Sequence, residues 1–269
     1  MRTLPKITIV TPSFNQARYL ERTILSVLSQ DYPNLEYIII DGGSSDDSVD
    51  IIERYSNRLA YWVSETDNGQ TDAINKGLKR ATGDWVAWQN SDDIYFPGSF
   101  NHLARVMTPD PGVDFIIADI MLIDEFDRHI RDVCYVTPNY LALVAEGMLL
   151  ANQAAFWRRS VHEEIGWLAD DLQHSFDYEW FLRLARNHKG KHVRSVWGAL
   201  RLHGESKTAQ NATSFTAENR QVLKGRELPA WQKWMFKLRR LCLMIMDRRG
   251  RYILRGLWRW MQRCVRAPG

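Results

Sequence analysis

Two aspartates stand side by side, Asp92 and Asp93, preceded by Asn90 and Ser91 and by a short apolar run. Adjacent carboxylates raise each other's pKa, so they are costly together unless a cation shares them. Hard oxygen ligands of this kind suit Mg2+ or Mn2+. A cation that also gripped a diphosphate would serve a nucleotide-activated substrate. The same residues can instead form a turn or a helix cap ahead of Pro97. Upstream, the amide-rich run from Ser64 to Gly77 sets Asp67, Gln70, Asp72 and Asn75 at the entrance to a helical pattern. Thr11-Pro12-Ser13-Phe14-Asn15 and Asp41-Gly42-Gly43-Ser44 close two earlier apolar runs.

These clusters need elements to position them. Apolar runs predict strands over Lys6–Thr11, Leu35–Asp41, Leu59–Ser64 and Trp85–Gln89. Between them, helical periodicity covers Tyr19–Ser29, Ser48–Tyr55 and Thr71–Ala81. This βα alternation predicts an α/β fold with a mainly parallel central sheet flanked by helices. In such a sheet, ligands bind outside the carboxyl ends of the strands, where the three polar clusters converge. Beyond Pro97 the order changes. Strands are expected at Val113–Ile123, Ile130–Val136, Ala154–Trp157 and Lys191–Leu202, and a helix at Phe176–Asn187.

Net charge is +3, but it is unevenly divided. From Trp231 onward eleven Lys or Arg face one acid, Asp247, a net +10, and the remaining 24 basic and 31 acidic residues give −7. Trp231, Trp234, Met235, Leu238, Leu241, Cys242 and Ile245 recur at helical spacing. After Arg248-Arg249-Gly250 the pattern resumes through Val265, with Arg251, Arg255, Arg259 and Arg263 as a basic stripe. A basic amphipathic helix with tryptophans fits a membrane interface; packing on the domain is the plainer alternative. An acidic body argues against nucleic acid. Cys134, Cys242 and Cys264 are too few and too widely spaced for a disulfide framework, which points to a reducing compartment. No signal-peptide pattern opens the sequence. His188 and His192 have metal-like spacing, yet the intervening Lys189-Gly190-Lys191 reads as a solvated turn.

Taken in order, Thr11–Asn15, Asp41–Asp46, Asp72–Gly77, Ala81–Asp84 and Asn90–Asp93 resemble the motifs of family 2 glycosyltransferases, over roughly residues 6 to 206. The resemblance implies a GT-A fold and inverting transfer of a sugar from a nucleotide diphosphate. It places Thr11, Pro12 and Asp41 at the base and ribose, with Ser13, Asn15 and Gly42 beside them. Asp67, Gln70 and Asn75 would line the same pocket. Ser91, Asp92 and Asp93 would form the metal motif for Mn2+ or Mg2+, with Asp93 the direct ligand. His203 matches a late histidine that ligates metal or diphosphate in many GT-A enzymes. Gln16 stands where the family often has an acid. Asp177, opening the helix Asp177-Tyr178-Glu179-Trp180, matches the catalytic base; read without the resemblance, it is a first-turn acid favoured by the helix dipole. Gly147 to Gln153 resembles the loop that shapes the acceptor side, where Asn152 and Gln153 would bond sugar hydroxyls.

The expected organisation is a nucleotide-sugar-binding half (1–110), an acceptor-binding and catalytic half (111–228) and a basic amphipathic helical tail (229–269). The expected function is a metal-dependent hexosyltransferase. A UDP-sugar is the first donor candidate, and the acceptor is a glycan or lipid-linked intermediate of a surface polysaccharide. The expected location is the cytoplasm, peripherally on the inner face of the cytoplasmic membrane, with residues 231–266 against anionic lipid. Two other readings are a sugar-1-phosphate nucleotidyltransferase and a non-catalytic nucleotide-sugar-binding protein. The first should carry a Gly-rich loop after its first strand, and Thr11 to Asn15 holds no glycine. The second should lack the acids, and both Asp93 and Asp177 are present.

Overall fold

The structure, a computed structural model, describes residues 4–107, 112–204, 212–256 and 258. Strands β1 (Ile7–Ser13), β2 (Leu35–Asp41), β3 (Tyr61–Ser64) and β4 (Trp85–Trp88) are all mutually parallel, in the order β3-β2-β1-β4. Helices α1 (Ala17–Leu28), α2 (Ser48–Arg54) and α3 (Gln70–Arg80) supply the crossovers. The two faces of β2 show why the sheet is covered twice. Ile39 packs into one core with Leu20, Ile24 and Val27 of α1, while Ile38 and Ile40 pack into the other with Ala73, Ile74 and Leu78 of α3. Burial on both faces selects an unbroken apolar run over an alternating one.

The second half is mixed. Beyond β4 the order continues β8 (Ala155–Arg158), β6 (Phe115–Asp124), β9 (Gly190–Leu202) and β5 (Ile94–Tyr95), with β7 (His129–Val133) paired to β6. Of these pairings only β6–β9 is parallel. The sequence reading misses β5, whose two residues are too short to show a period. It also misses α4 (Ser99–Met107), α5 (Tyr140–Glu146), α6 (Val161–Ile165) and α8 (Ala212–Val222), whereas α7 (Phe176–Asn187) falls where expected. The 110/111 division lies between α4 and β6, and one sheet runs across it.

Register shifts between Ala118 and Ile120 bend β9 against β6. The bend carries the end of β9, with Arg201, toward the loop after β4. Gly198 makes this close approach possible, since a Cβ there would lie 2.2 Å from the Gln153 carbonyl oxygen. Helix α9 (Ala230–Met246) follows α8, and residues 250–256 are also helical. Arg259, Arg263 and the rest of the expected stripe beyond 258 lie outside the described residues.

Candidate functional site

The parallel register aligns Ser13 with Asp41 and Asp41 with Ser64 at the carboxyl ends of β1, β2 and β3. A cleft of about 530 Å3 opens beyond these ends. Pro12, Ser13, Gly42, Asp67, Gln70, Ser91, Asp92, Asp93 and Asp177 line it, together with Gln16, Asn152, Gln153 and Arg201. A second hollow of similar size, beside His102 and Trp197, contains none of the expected site residues.

Five expected residues do not line the cleft: Asp41, Thr11, Asn75, Asn15 and His203. The Asp41 carboxylate is fully buried and accepts bonds from Gly43 N–H, Ser44 N–H, Ser44 Oγ and Ser64 Oγ. It builds the turn after β2 from beneath. Thr11 is fully buried, with its Oγ1 3.0 Å from the Tyr37 hydroxyl. Asn75 gives its amide to the backbone of Leu168, donating at 2.9 Å and accepting at 3.1 Å, and so straps α3 to a segment 93 residues away. Asn15, with a left-handed φ of 51°, accepts Ser45 N–H at 2.8 Å and ties two loops together. Gly42 is required by Asp67, whose Oδ2 would lie 2.7 Å from a Cβ at position 42.

The acid pair divides into an enclosed and an open carboxylate. Asp93 is buried; its Oδ1 accepts Arg201 N–H at 2.9 Å, and its Oδ2 accepts Gln153 Nε2 at 2.6 Å and Asn90 Nδ2 at 3.0 Å. Burial, then the charge of Asp92, pushes its pKa up to about 8, against the opposing pull of these donors. Thr23 of α1 fixes the loop by donating to the carbonyls of Ser91 and Asp93 at 2.9 and 2.7 Å. Asp92 is more exposed, and its Oδ2 lies 2.9 Å from His203 Nε2. His203 is outside the cleft lining; its ring packs on Tyr19 at 4.6 Å, behind Asp92. It holds the acid and does not share the cleft with it.

A cation must fit these donors. Three N–H groups occupy Asp93, the residue expected as direct ligand, and a cation does not sit easily among donors. Asp92 keeps Oδ1 without a protein partner among the described residues. One carboxylate plus substrate phosphates and water is an ordinary Mg2+ arrangement. Among the described residues no group of three His, Cys, Asp or Glu is placed to hold a metal alone. The fit is therefore to Asp92 together with a phosphate ligand.

Arg201 is a residue that sequence reasoning missed, although a lone arginine in an apolar strand end is itself a signal. Its fully buried guanidinium donates from Nε to Asp92 O at 2.7 Å, pairs with Asp127 and lies 5.0 Å from the Tyr19 ring centroid. Its Nη2 has no partner, and neither do Ser13 Oγ, Asn152 Nδ2 and Gln153 Oε1. All four atoms are buried on residues that line the cleft. His174 Nδ1 is a fifth such atom; a buried polar atom without a partner needs an explanation, and the convergence of five on one cleft is what points to a ligand.

Asp177 is half-buried at the start of α7, and burial pushes its pKa up to about 6. Its Oδ1 accepts Tyr178 N–H at 2.7 Å. The loop before it is clamped from α8. Glu218 accepts the N–H groups of Gln173, His174 and Ser175 at 3.2, 2.8 and 2.8 Å, and Phe215 packs on His174 with centroids 5.1 Å apart. His174 and Phe215 also line the cleft. Nothing in the sequence near Glu218 signals this clamp, because its partners lie over forty residues away.

A family model described as glycosyl transferase family 2 matches residues 8–166. An uncharacterized glycosyltransferase of Rickettsia felis is 28% identical over 201 residues, covering 68% of this chain and 32% of that protein. One from Mycobacterium tuberculosis is 42% identical over 96 residues, covering 35% and 37%. The chain thus spans about a third of the length of the curated relatives it matches. Among solved structures, S. aureus TarS 1–349 in complex with UDP-GlcNAc superposes with a TM-score of 0.67 at 16% identity, over 90% of this chain and 73% of that one. Mannosyltransferase PcManGT from Pyrobaculum calidifontis, in complex with GDP-Man and Mn2+, gives 0.57 at 18% identity, over 82% and 65%. These likenesses agree with the GT-A fold expected from the motifs.

Proposed function

The chain belongs to glycosyl transferase family 2, and on that footing we propose that it moves a sugar from a nucleoside-diphosphate donor to an acceptor hydroxyl with inversion. The observation that carries this reading is one cleft lined by Asp92, Asp177 and five residues with unpartnered buried polar atoms, Ser13, Asn152, Gln153, His174 and Arg201. Asp67 and Gln70 border the nucleotide. Thr11, Asn15, Asp41 and Asn75 shape that side of the cleft from behind. Asp92 would hold Mn2+ or Mg2+, with Asp93 and His203 fixing the position of its carboxylate. The cation supplies Lewis-acid stabilisation of the departing diphosphate. Arg201 Nη2 offers a cationic donor on the same side.

Asn152 and Gln153 line the cleft and bond sugar hydroxyls there. Asp177 accepts the proton of the acceptor hydroxyl as it attacks; its pKa near 6 leaves it ionised at neutral pH and still basic. A single displacement needs one such base, which favours inversion over retention. TarS with UDP-GlcNAc makes a UDP-sugar the first donor to test. The acceptor proposed is a glycan or lipid-linked intermediate of a surface polysaccharide. A panel of nucleotide sugars, scored by thermal stabilisation with Mn2+ and with chelator, tests the reading. Stabilisation by one donor class in metal supports it, and indifference to all of them refutes it.

A further inference from the structure

Helix α9 packs on α5 and buries Phe236 and Met244, which are 7% and 4% exposed. Two arginines latch this region. Arg240 reaches the buried Glu146 at 2.7 Å. Just past the helix, Arg249 meets buried Asp119 at 2.9 Å, and Asp119 also bonds His192 and Tyr135 N–H, each at 2.9 Å. The latches fix the rotation of α9. At 3.6 residues per turn, Trp231, Trp234, Met235, Leu238, Leu241 and Ile245 then fall opposite Phe236 and Met244.

All six are exposed, Trp234 by 70%. Among the described residues, nine of the sixteen exposed large apolar side chains lie between Trp231 and Trp258, so the apolar surface described is concentrated there. Lys233, Lys237, Arg248, Arg251 and Arg255 are exposed around them. The single acid of this region, Asp247, faces Arg194 at 3.5 Å.

We propose that this outward face of α9, together with the exposed Leu254 and Trp258, is a docking surface for an anionic lipid bilayer. Tryptophans with a basic rim suit the boundary between headgroups and acyl chains, and lipid phosphates complement the cations. A second copy of the same face fits poorly, because two like basic rims would meet. No helix among the described residues is long and apolar enough to cross a membrane, and the contact inferred is with its surface. Because the latches join α9 to the sheet, the body is held in one orientation on the bilayer. That a lipid-linked acceptor is thereby presented to the cleft rests on the glycosyl-transfer reading; lipid docking does not.

The test is co-sedimentation of the full chain with vesicles of phosphatidylcholine alone, or mixed with phosphatidylglycerol, at low and high salt. Binding is expected only with the anionic vesicles, and salt should weaken it by shortening the reach of the charges. Trp234→Ser combined with Leu238→Ser should reduce partition about tenfold or more, with the melting temperature unchanged. Lys237→Gln combined with Arg248→Gln should mimic added salt. Failure to sediment at low salt, or equal sedimentation with neutral vesicles, overturns the proposal. So does self-association abolished by the Trp234 and Leu238 changes, which would assign the face to a second copy. Donor binding measured on the same samples reports separately on the glycosyl-transfer reading.

Discussion

The two halves of the cleft use their polar residues differently. On the parallel side, Asp41, Asn75, Thr11 and Asn15 are engaged by the protein's own hydrogen bonds. On the mixed side, Asn152, Gln153 and Arg201 carry buried atoms with no partner, and Asp177 is held partly exposed. Motif residues thus divide between scaffolding, as in Thr11, Asn15, Asp41 and Asn75, and groups that keep an oxygen without a partner, as in Ser13 and Asp92. A carboxylate can be essential to a site by shaping the turn beneath it, as Asp41 does under Gly43 and Ser44.

The largest expected effect is on the free side. Asp177→Asn should lower transfer roughly 10²-fold or more while donor affinity stays within about twofold, the scale of losing a general base. The wild-type rate should rise with pH up to about 6 and then level, since only the ionised carboxylate accepts a proton. The variant should lack that rise. The stability consequence has the opposite sign. A carboxyl with a raised folded pKa holds its proton more tightly when folded, so its contribution is full at acid pH and fades as pH climbs to about 6.

Next in size is the acid pair. Asp92→Asn should weaken metal-dependent donor binding about tenfold, read by calorimetry with and without Mn2+. Asp93→Asn should mainly destabilise, by about 1–3 kcal/mol, because its amide would face three N–H donors. Reversed outcomes would return the direct-ligand role to Asp93. On the engaged side, Asn75→Ala should lower stability by a similar amount, about 1–3 kcal/mol, through the two bonds lost at Leu168, with donor affinity unchanged. Lost affinity at unchanged stability there would break the comparison between the halves.

The smallest effect is expected at Glu218, a positioning residue. Its charge raises the Asp177 pKa, so Glu218→Gln should move the midpoint of the pH–rate profile below about 6 and lower the maximal rate a few-fold. A purely structural residue would lower the melting temperature without moving that midpoint.

Local patterns made part of this legible. The first four strands are short apolar runs closed by Gly, Pro, Asp or Asn, and α7 carries Trp180, Phe181 and Leu184 at helical spacing, so both were readable. Helix α4 also shows that spacing in Phe100, Leu103, Ala104 and Met107, but the break expected at Pro97 hid it. Strand β5 is specified by its partners Gly198 and Ala199, about a hundred residues away. The distinction between engaged and free side chains has the same origin. Whether Asn75 meets a nucleotide or the Leu168 backbone is decided across 93 residues, which no local pattern encodes.

The most direct test of the account is calorimetric titration of UDP- and GDP-sugars into the full chain, with Mn2+ or chelator, for wild type and for Gln153→Ala. Saturable binding of one donor class to one site per chain is expected, at least tenfold weaker in chelator and weakened in the variant. Binding of no donor, or binding indifferent to both metal and Gln153, would contradict it.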